Sequence, residues 1–258
     1  MESNIMFAEE RKEKILNIAK KNQKVVVPEL SELFNVSPAT IRNDLNELEK
    51  EGKLKRTHGG AIYNKHIGYE LKSEEKKVKN VEGKMKIAKA AFELIEDGDI
   101  ILIDTGTTTY QLAKLLKDTK SVTVVTNDIE IAFMMEEYEN IELILIGGDL
   151  RKGFHCAVGA FATQILSSIY VDKAFIGANT YSSEGGVATP NASQSENKAV
   201  MMKSAAKNYL LIDSRKFGER SFVKFADGSD FDMIITDDGL DEKYVSEFKG
   251  TNLFICKE

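Results

Sequence analysis

Apolar positions in the first fifty residues recur at helical spacing in three runs. Ile15, Leu16, Ile18 and Ala19 follow a charged opening and predict a helix from about Glu9 to Lys20. Val27 to Phe34 predicts a second, short helix, with Pro28 tolerated in its first turn and Leu30, Leu33 and Phe34 forming one stripe. The third opens at Ser37-Pro38, where the serine can cap the first amides and the proline gives up an amide that has no helical partner. On it Ile41, Leu45 and Leu48 share one face, and Ala39, Arg42, Asn43 and Asn46 share the other. After Gly52 the stretch Lys53 to Ile62 alternates with a period of two, which predicts a short β-hairpin behind the three helices.

Residues 64–81, with "KSEEKKVKN", are charged and lack apolar periodicity, and they read as a partly helical linker. From there on β-rich apolar runs alternate with helical stripes: Ile100–Ile103, Val122–Val125, Ile141–Ile146, Ala174–Ile176, Tyr209–Ile212 and Met233–Ile235. That alternation predicts an open, mostly parallel α/β sheet with crossover helices. The chain of 258 residues therefore divides into a small head (1–63), a linker (64–81) and a larger α/β body (82–258).

Composition changes this picture little. Apolar residues at 42% suffice for a buried core, and no run is long enough to span a bilayer or to act as a signal peptide, which implies a cytoplasmic protein. Cys156 and Cys256 stand apart from each other and from His58, His66 and His155, so neither a metal nor a cofactor is expected and both thiols read as small buried apolar groups. The net charge of −6 is uneven: residues 1–66 carry 12 basic and 10 acidic side chains, the remainder 23 and 31. A locally basic face on the head is compatible with phosphates despite the acidic body.

A helix entering a major groove needs long hydrogen-bonding side chains near its N-terminal end, and Arg42 and Asn43 are of the types that pair with guanine and adenine edges. Ser37, Thr40 and Asn46 stand beside them, while Lys53, Lys55, Arg56 and His58 on the hairpin can meet phosphates without reading sequence. A bare helix-turn-helix pattern is equally compatible with any three-helix domain. The whole string "VVVPELSELFNVSPATIRNDLNELEKEGKLKRTHGGA", however, resembles the head of the DeoR family of bacterial transcription regulators throughout its length. One departure is Asn43, where the family commonly carries a second arginine.

In the body, ligands of open sheets bind beyond the carboxyl ends of the strands. There the sequence places Asp104-Thr105-Gly106-Thr107-Thr108-Thr109 ahead of a helix starting at about Tyr110, then Thr126-Asn127-Asp128, Gly147-Gly148-Asp149 and Gly177-Ala178-Asn179-Thr180. Singly each is an ordinary cap or turn, but together they repeat small polar groups at one topological position. "GDIILIDTGTTTYQLAKLL", "TVVTNDIEIA" and "LILIGGDLRKG" also resemble the sensor domain of the same family, whose fold resembles ribose-5-phosphate isomerase. The resemblance implies a phosphorylated sugar as effector, with Asp104, Gly106, Thr107, Thr108, Thr126, Asn127, Gly147, Gly148 and Lys198 lining its pocket. Asp104 would bond hydroxyls, the Thr and Gly group would hold phosphate, and Lys198 would neutralise it. Glu196 and Lys216 read equally as pocket residues or surface ion pairs. The implied function is a repressor of a carbohydrate-utilisation operon, binding double-stranded operator DNA as a homo-oligomer away from any membrane. An activator shares every one of these features, and an enzyme acting on a sugar phosphate, with Asp104 or Asp213 as base, remains the alternative from another class.

Overall fold

The computed structural model describes residues 7–63, 70–248 and 250–257; His66 and the first part of the predicted linker lie outside the described residues. By its contacts the chain separates into two compact units, residues 1–71 and residues 72–258.

The first unit runs α1 (Ala8–Asn22), β1 (Lys24–Val26), α2 (Val27–Phe34), α3 (Pro38–Lys50), β2 (Leu54–Thr57) and β3 (Gly60–Tyr63). Ile15 and Ala19 of α1 meet Leu30 of α2 and Ile41, Leu45 and Leu48 of α3 in one core, closed by Val25, Leu54 and Ala61 from the strands. Leu33 departs from the expected stripe and is 63% exposed. The buried face of this two-turn helix follows Val27, Leu30 and Phe34, a three-and-four spacing that leaves Leu33 about 100° away from Phe34. The three-residue strand β1, too short to show a period, pairs antiparallel with β3, which pairs antiparallel with β2. Two glycines shape this wing for different reasons. Gly59 has φ +86°, while a Cβ on Gly60 would stand 2.1 Å from the Val25 carbonyl oxygen.

Helix α3 is also fixed by charge. Arg11 donates to both carboxylate oxygens of Asp44 at 2.6 and 3.0 Å, and both side chains are buried. One turn on, Lys12 donates to Glu47 at 2.6 Å.

The second unit opens with α4 (Ser73–Lys77) and α5 (Val81–Phe92) and continues β4 (Ile100–Ile103), α6 (Thr107–Leu115), β5 (Val122–Thr126), α7 (Ile129–Met135) and β6 (Ile141–Leu145). A hairpin of β7 (Asp149–Arg151) and β8 (Cys156–Val158) leads to α8 (Ala160–Leu166) and β9 (Val171–Gly177). After β10 (Thr180–Ser182) and β11 (Gly186–Thr189) come α9 (Ala192–Lys203), β12 (Ala205–Leu211), β13 (Val223–Ala226), β14 (Met233–Asp237), α10 (Glu242–Glu247) and β15 (Leu253–Cys256). Seven strands form one sheet in the order β15-β14-β12-β9-β4-β5-β6, parallel throughout. The six runs expected from the sequence are all in it; the seventh, β15, closes one edge.

Side-chain alternation along the strands feeds two cores. In β4, Ile101 and Ile103 pack with Ile87 and Ala88 of α5 and Leu112 of α6, while Leu102 packs with Leu166 of α8 and Met201 of α9. The sheet is thus covered on both faces, as a parallel sheet requires. Winding runs one way from β4 through β5 to β6 and the other way from β9 through β12 to β15, so the strand order reverses between β4 and β9.

Candidate functional site

In the head, the Ser37 hydroxyl accepts from the Thr40 amide at 3.1 Å and lies 2.9 Å from the Thr40 hydroxyl, so the cap read from the sequence forms. With Ile41, Leu45 and Leu48 turned into the core, Arg42, Asn43 and Asn46 are exposed. None of the three side chains has a hydrogen-bond partner among the described residues, and so none has a structural task in the fold. A cleft of about 760 Å³ joins the start of α2, the start of α3 and the wing turn, lined among others by Pro28, Asn35, Ser37, Arg42 and Gly59. Lys55 and His58 are exposed on the wing. Arg56 is placed differently from its neighbours: its guanidinium donates to the Gly60 carbonyl at 2.7 Å, and its amide donates to Glu49 at 2.7 Å. Lys53 pairs with Glu51 at 2.8 Å.

In the body, Asp104 follows β4 and Gly177 ends β9, so the point where the strand order reverses lies between them. Asp104 Oδ2 accepts from the Gly177 amide at 2.9 Å and from the Lys198 ammonium, which also donates to the Gly177 carbonyl at 2.9 Å. Asp104 and Lys198 are 1% and 2% exposed. Lys198 reaches this spot because Asn191 caps α9 through the Gln194 amide at 2.9 Å and aims the first two turns of that helix at the sheet's carboxyl end. Glu196, on the same helix, is exposed.

Around the pair, buried polar groups gather. Helix α6 begins at Thr107 rather than near Tyr110, which brings Thr107 and Thr108 into its first turn, while the Thr109 hydroxyl bonds back to the Gly106 carbonyl at 2.9 Å. Thr126 is fully engaged, donating to Ile103 O at 2.7 Å and accepting from the Asp128 amide, so its hydroxyl ties β5 to β4. Asn127 and Asn197 both donate to the Ala157 carbonyl of β8, at 2.9 and 3.3 Å. Asp128 caps α7 and accepts from Thr105 at 2.7 Å; burial pushes its carboxyl up against those bonds. Among the described residues, four buried atoms here have no hydrogen-bond partner: Asp104 Oδ1, Thr108 Oγ1, Asn127 Oδ1 and Asn197 Oδ1.

Gly147 and Gly148 lie on the β5 and β8 side of this group. They follow the edge strand β6, two strands from β4, or about 10 Å by sheet spacing. Both are exposed, and Gly148 answers to packing, since a Cβ there would lie 2.6 Å from Val158 O. Cys156 and Cys256 are buried free thiols, each pushed up to about 11 by burial, next by the nearby carboxylates Asp104 and Asp237 respectively.

Sequence reasoning missed Asn197 and Lys84. Asn197 lies beside Lys198 in the chain, and its only signal is that neighbour. Lys84 reads as one more charge in a lysine-rich helix, yet it is 2% exposed.

A winged helix-turn-helix with an unengaged polar face, on one chain with an α/β body that collects polar groups where its strand order reverses, defines a DNA-binding regulator with a sensor domain. Residues 11–66 match the DeoR-like helix-turn-helix domain, and residues 79–238 match the DeoR C terminal sensor domain. The chain is 36% identical over 250 residues to the HTH-type transcriptional regulator GlpR of Haloferax volcanii, covering 97% of this chain and 98% of that one. It is 35% identical over 246 residues to the lactose phosphotransferase system repressor of Lactococcus lactis, covering 94% and 96%. The chain belongs to the DeoR family of transcriptional regulators. Among solved structures it is similar to ribose 5-phosphate isomerase A of Methanocaldococcus jannaschii, at 22% identity and a TM-score of 0.39 over 54% of this chain and 55% of that one.

Proposed function

We propose that this protein is a cytoplasmic repressor of a carbohydrate-utilisation operon, released from its operator when a phosphorylated sugar occupies the body. The observation that carries the reading is the set of buried, unpartnered oxygens at the reversal of strand order: Asp104 Oδ1, Thr108 Oγ1, Asn127 Oδ1 and Asn197 Oδ1. Unpaired buried acceptors are costly, and a polyhydroxylated ligand would supply the missing donors. The names of its relatives support the same reading, because one is the repressor of a lactose phosphotransferase system. Sensing is favoured over turnover, since both carboxylates that could serve as a base are engaged: Asp104 with Lys198, and Asp213 with Arg215 at 3.1 Å. Gly147 and Gly148 belong to the rim of this pocket at most.

On the DNA side, Arg42, Asn43 and Asn46 read bases, and Ser37, Thr40, Lys55 and His58 position the helix on phosphates. Arg56 contributes by holding the wing turn in shape. One recognition helix makes few base contacts, so paired half-sites and a homo-oligomer are part of the proposal. A ligand with equal affinity for both arrangements of the heads would shift nothing, so the effector must bind the DNA-free arrangement more tightly.

Gel-shift titration of the operator complex with a panel of phosphorylated sugars tests this: at least one should weaken the complex, and unchanged affinity across the panel overturns the effector reading. Arg42→Ala should weaken binding to the operator by roughly 1–3 kcal/mol with little effect on random-sequence DNA, as loss of a base-edge contact predicts. An equal loss on both DNAs would reassign Arg42 to phosphate.

A further inference from the structure

Helix α8 is apolar on both sides. Ala162 and Leu166 turn into the core, while Phe161 and Ile165, four positions apart and so on one stripe, are exposed, Phe161 at 70%. A helix that is hydrophobic all round is ordinarily a buried helix, yet among the described residues one side of α8 stays uncovered. The uncovered side continues onto the edge of the sheet. Gly148, just after the edge strand β6, stands so close to α8 that a Cβ there would lie 3.1 Å from the Ala162 methyl, and Ile146 packs in one cluster with Ala162 and Leu166. Ile144, two positions back and on the same side of the sheet, is exposed, as are Leu145 beside it and Leu150 of β7.

The α8 segment is also without charge. No Lys, Arg, Asp or Glu occurs between Lys152 and Asp172, in a chain where such residues make up 29%. Exposed apolar side chains elsewhere in the body have charges at their sides: Val78 stands between Lys77 and Lys79, and Phe222 between Arg220 and Lys224. At the opposite edge of the sheet, Phe254 of β15 follows a helix, α10, that exposes Glu242, Lys243 and Glu247. Single apolar side chains among charges need no partner, whereas a contiguous apolar patch that lacks charge and carries an aromatic has the composition of an interface core. Charge also selects the occupant. Nucleic acid and anionic lipid surfaces are met by Lys and Arg, and the α8 segment has none. Two copies of a body with 23 basic and 31 acidic residues beyond position 66 repel each other over much of their surface, and an uncharged face is where they meet without opposing like charges.

We propose that the exposed side of α8, with the carboxyl half of the edge strand β6 and Leu150 beside it, is the surface through which two copies of this chain associate about a twofold axis. This rests on the homo-oligomer in the reading above and names the face that makes it. In an isologous contact the same patch meets itself, so Phe161 and Ile165 of the two α8 helices close on each other and supply the desolvated centre, with Ile144, Leu145 and Leu150 around them. Edge strands are commonly guarded by lysine, proline or a bulge. Ile144-Leu145 carries none of these, in keeping with a strand end that the assembly covers.

Sedimentation velocity and light scattering on the full chain test it, with two charged double variants: Phe161→Lys with Ile165→Lys, and Phe161→Glu with Ile165→Glu. Each should halve the mass of the wild-type assembly, its dissociation constant raised at least about thirtyfold, as loss of an interface hot spot does. Both should keep the far-ultraviolet circular dichroism of the wild type, since the altered side chains are exposed in the single chain. An equimolar mixture of the two should regain at least part of the wild-type mass, because opposite charges then face each other across the axis, and this separates a lost contact from a misfolded chain. Phe254→Lys, at the other edge of the sheet, should keep the wild-type mass. Wild-type mass in both doubles overturns the surface and leaves this face to a different partner, and a halved mass with no recovery in the mixture overturns it too. If the wild type is oligomeric and the doubles are equally so, the homo-oligomer reading stands and this surface falls. If the doubles lose the assembly yet bind an operator of two half-sites as tightly as the wild type, the surface stands and the paired-head reading falls. A wild type that stays monomeric with and without operator DNA overturns both.

Discussion

Lys198→Ala should cost the body about 3–5 kcal/mol of stability, the usual loss when one partner of a buried ion pair is removed. The pair is 1–2% exposed and is tied into the backbone of β9 through the Gly177 amide and carbonyl, both at 2.9 Å. Truncation strands the Asp104 carboxylate, one of whose oxygens already lacks a partner, and opens a void among α9, β4 and β9. For a unit of this size the loss corresponds to a fall in melting temperature on the order of 10 °C. The double variant Asp104→Asn, Lys198→Met removes the charge from both sides and should recover most of it, because the damage lies in the uncompensated charge more than in the missing contact. Thermal or urea unfolding of the three chains decides the matter. A single-variant loss under about 1 kcal/mol would mean that water reaches Asp104 and that the pair does not close this end of the sheet.

That expectation differs from the role the sequence suggests for Lys198, a cation waiting for phosphate, and the reason is instructive. Patterns of small polar residues after strands point to the carboxyl end of a parallel sheet and so to Asp104, Thr108 and Asn127, whereas Lys198, inside α9, enters only through the family resemblance. What they do not encode is which groups saturate each other once the chain closes. Thr126 bonds backbone on both sides, and Gly148 makes room for β8, so two residues of the predicted pocket are explained by the fold alone. Lys84 is invisible for the opposite reason. Helical periodicity assigns lysines to solvent, and only the tertiary fold, with α5 against α6, β12 and β14 and the ammonium on the Lys76 carbonyl, buries this one. In the head the legibility is greater, since the cap at Ser37 and the period of Ile41, Leu45 and Leu48 are local features. Strand β1 escaped because three residues carry no period, and the Arg11–Asp44 pair because its partners stand 33 positions apart.

That pair leads to the second large effect. Asp44→Ala should destabilise the head by about 3–5 kcal/mol and abolish DNA binding through unfolding, although Asp44 faces away from the exposed side of α3. The Arg11 guanidinium, raised chiefly by its hydrogen bond to Asp44, stays charged at any accessible pH and has no neutral form to retreat to. Asp44→Asn should be nearly as damaging, because an amide accepts one bond where the carboxylate accepts two and cannot balance the charge. In a small domain of about sixty residues such a loss is comparable with total stability, so the head should melt in a separate early transition while the body's transition stays in place. Lys12→Ala offers the contrast: its partner Glu47 is 55% exposed, and the change should cost no more than about 1 kcal/mol. Circular dichroism melts with separate near- and far-ultraviolet readings resolve the two transitions. A head that stays folded in Asp44→Ala would show that α1 is held to α3 by its apolar contacts alone, and the orientation of the recognition helix would then rest on Ile15, Ile41 and Leu45.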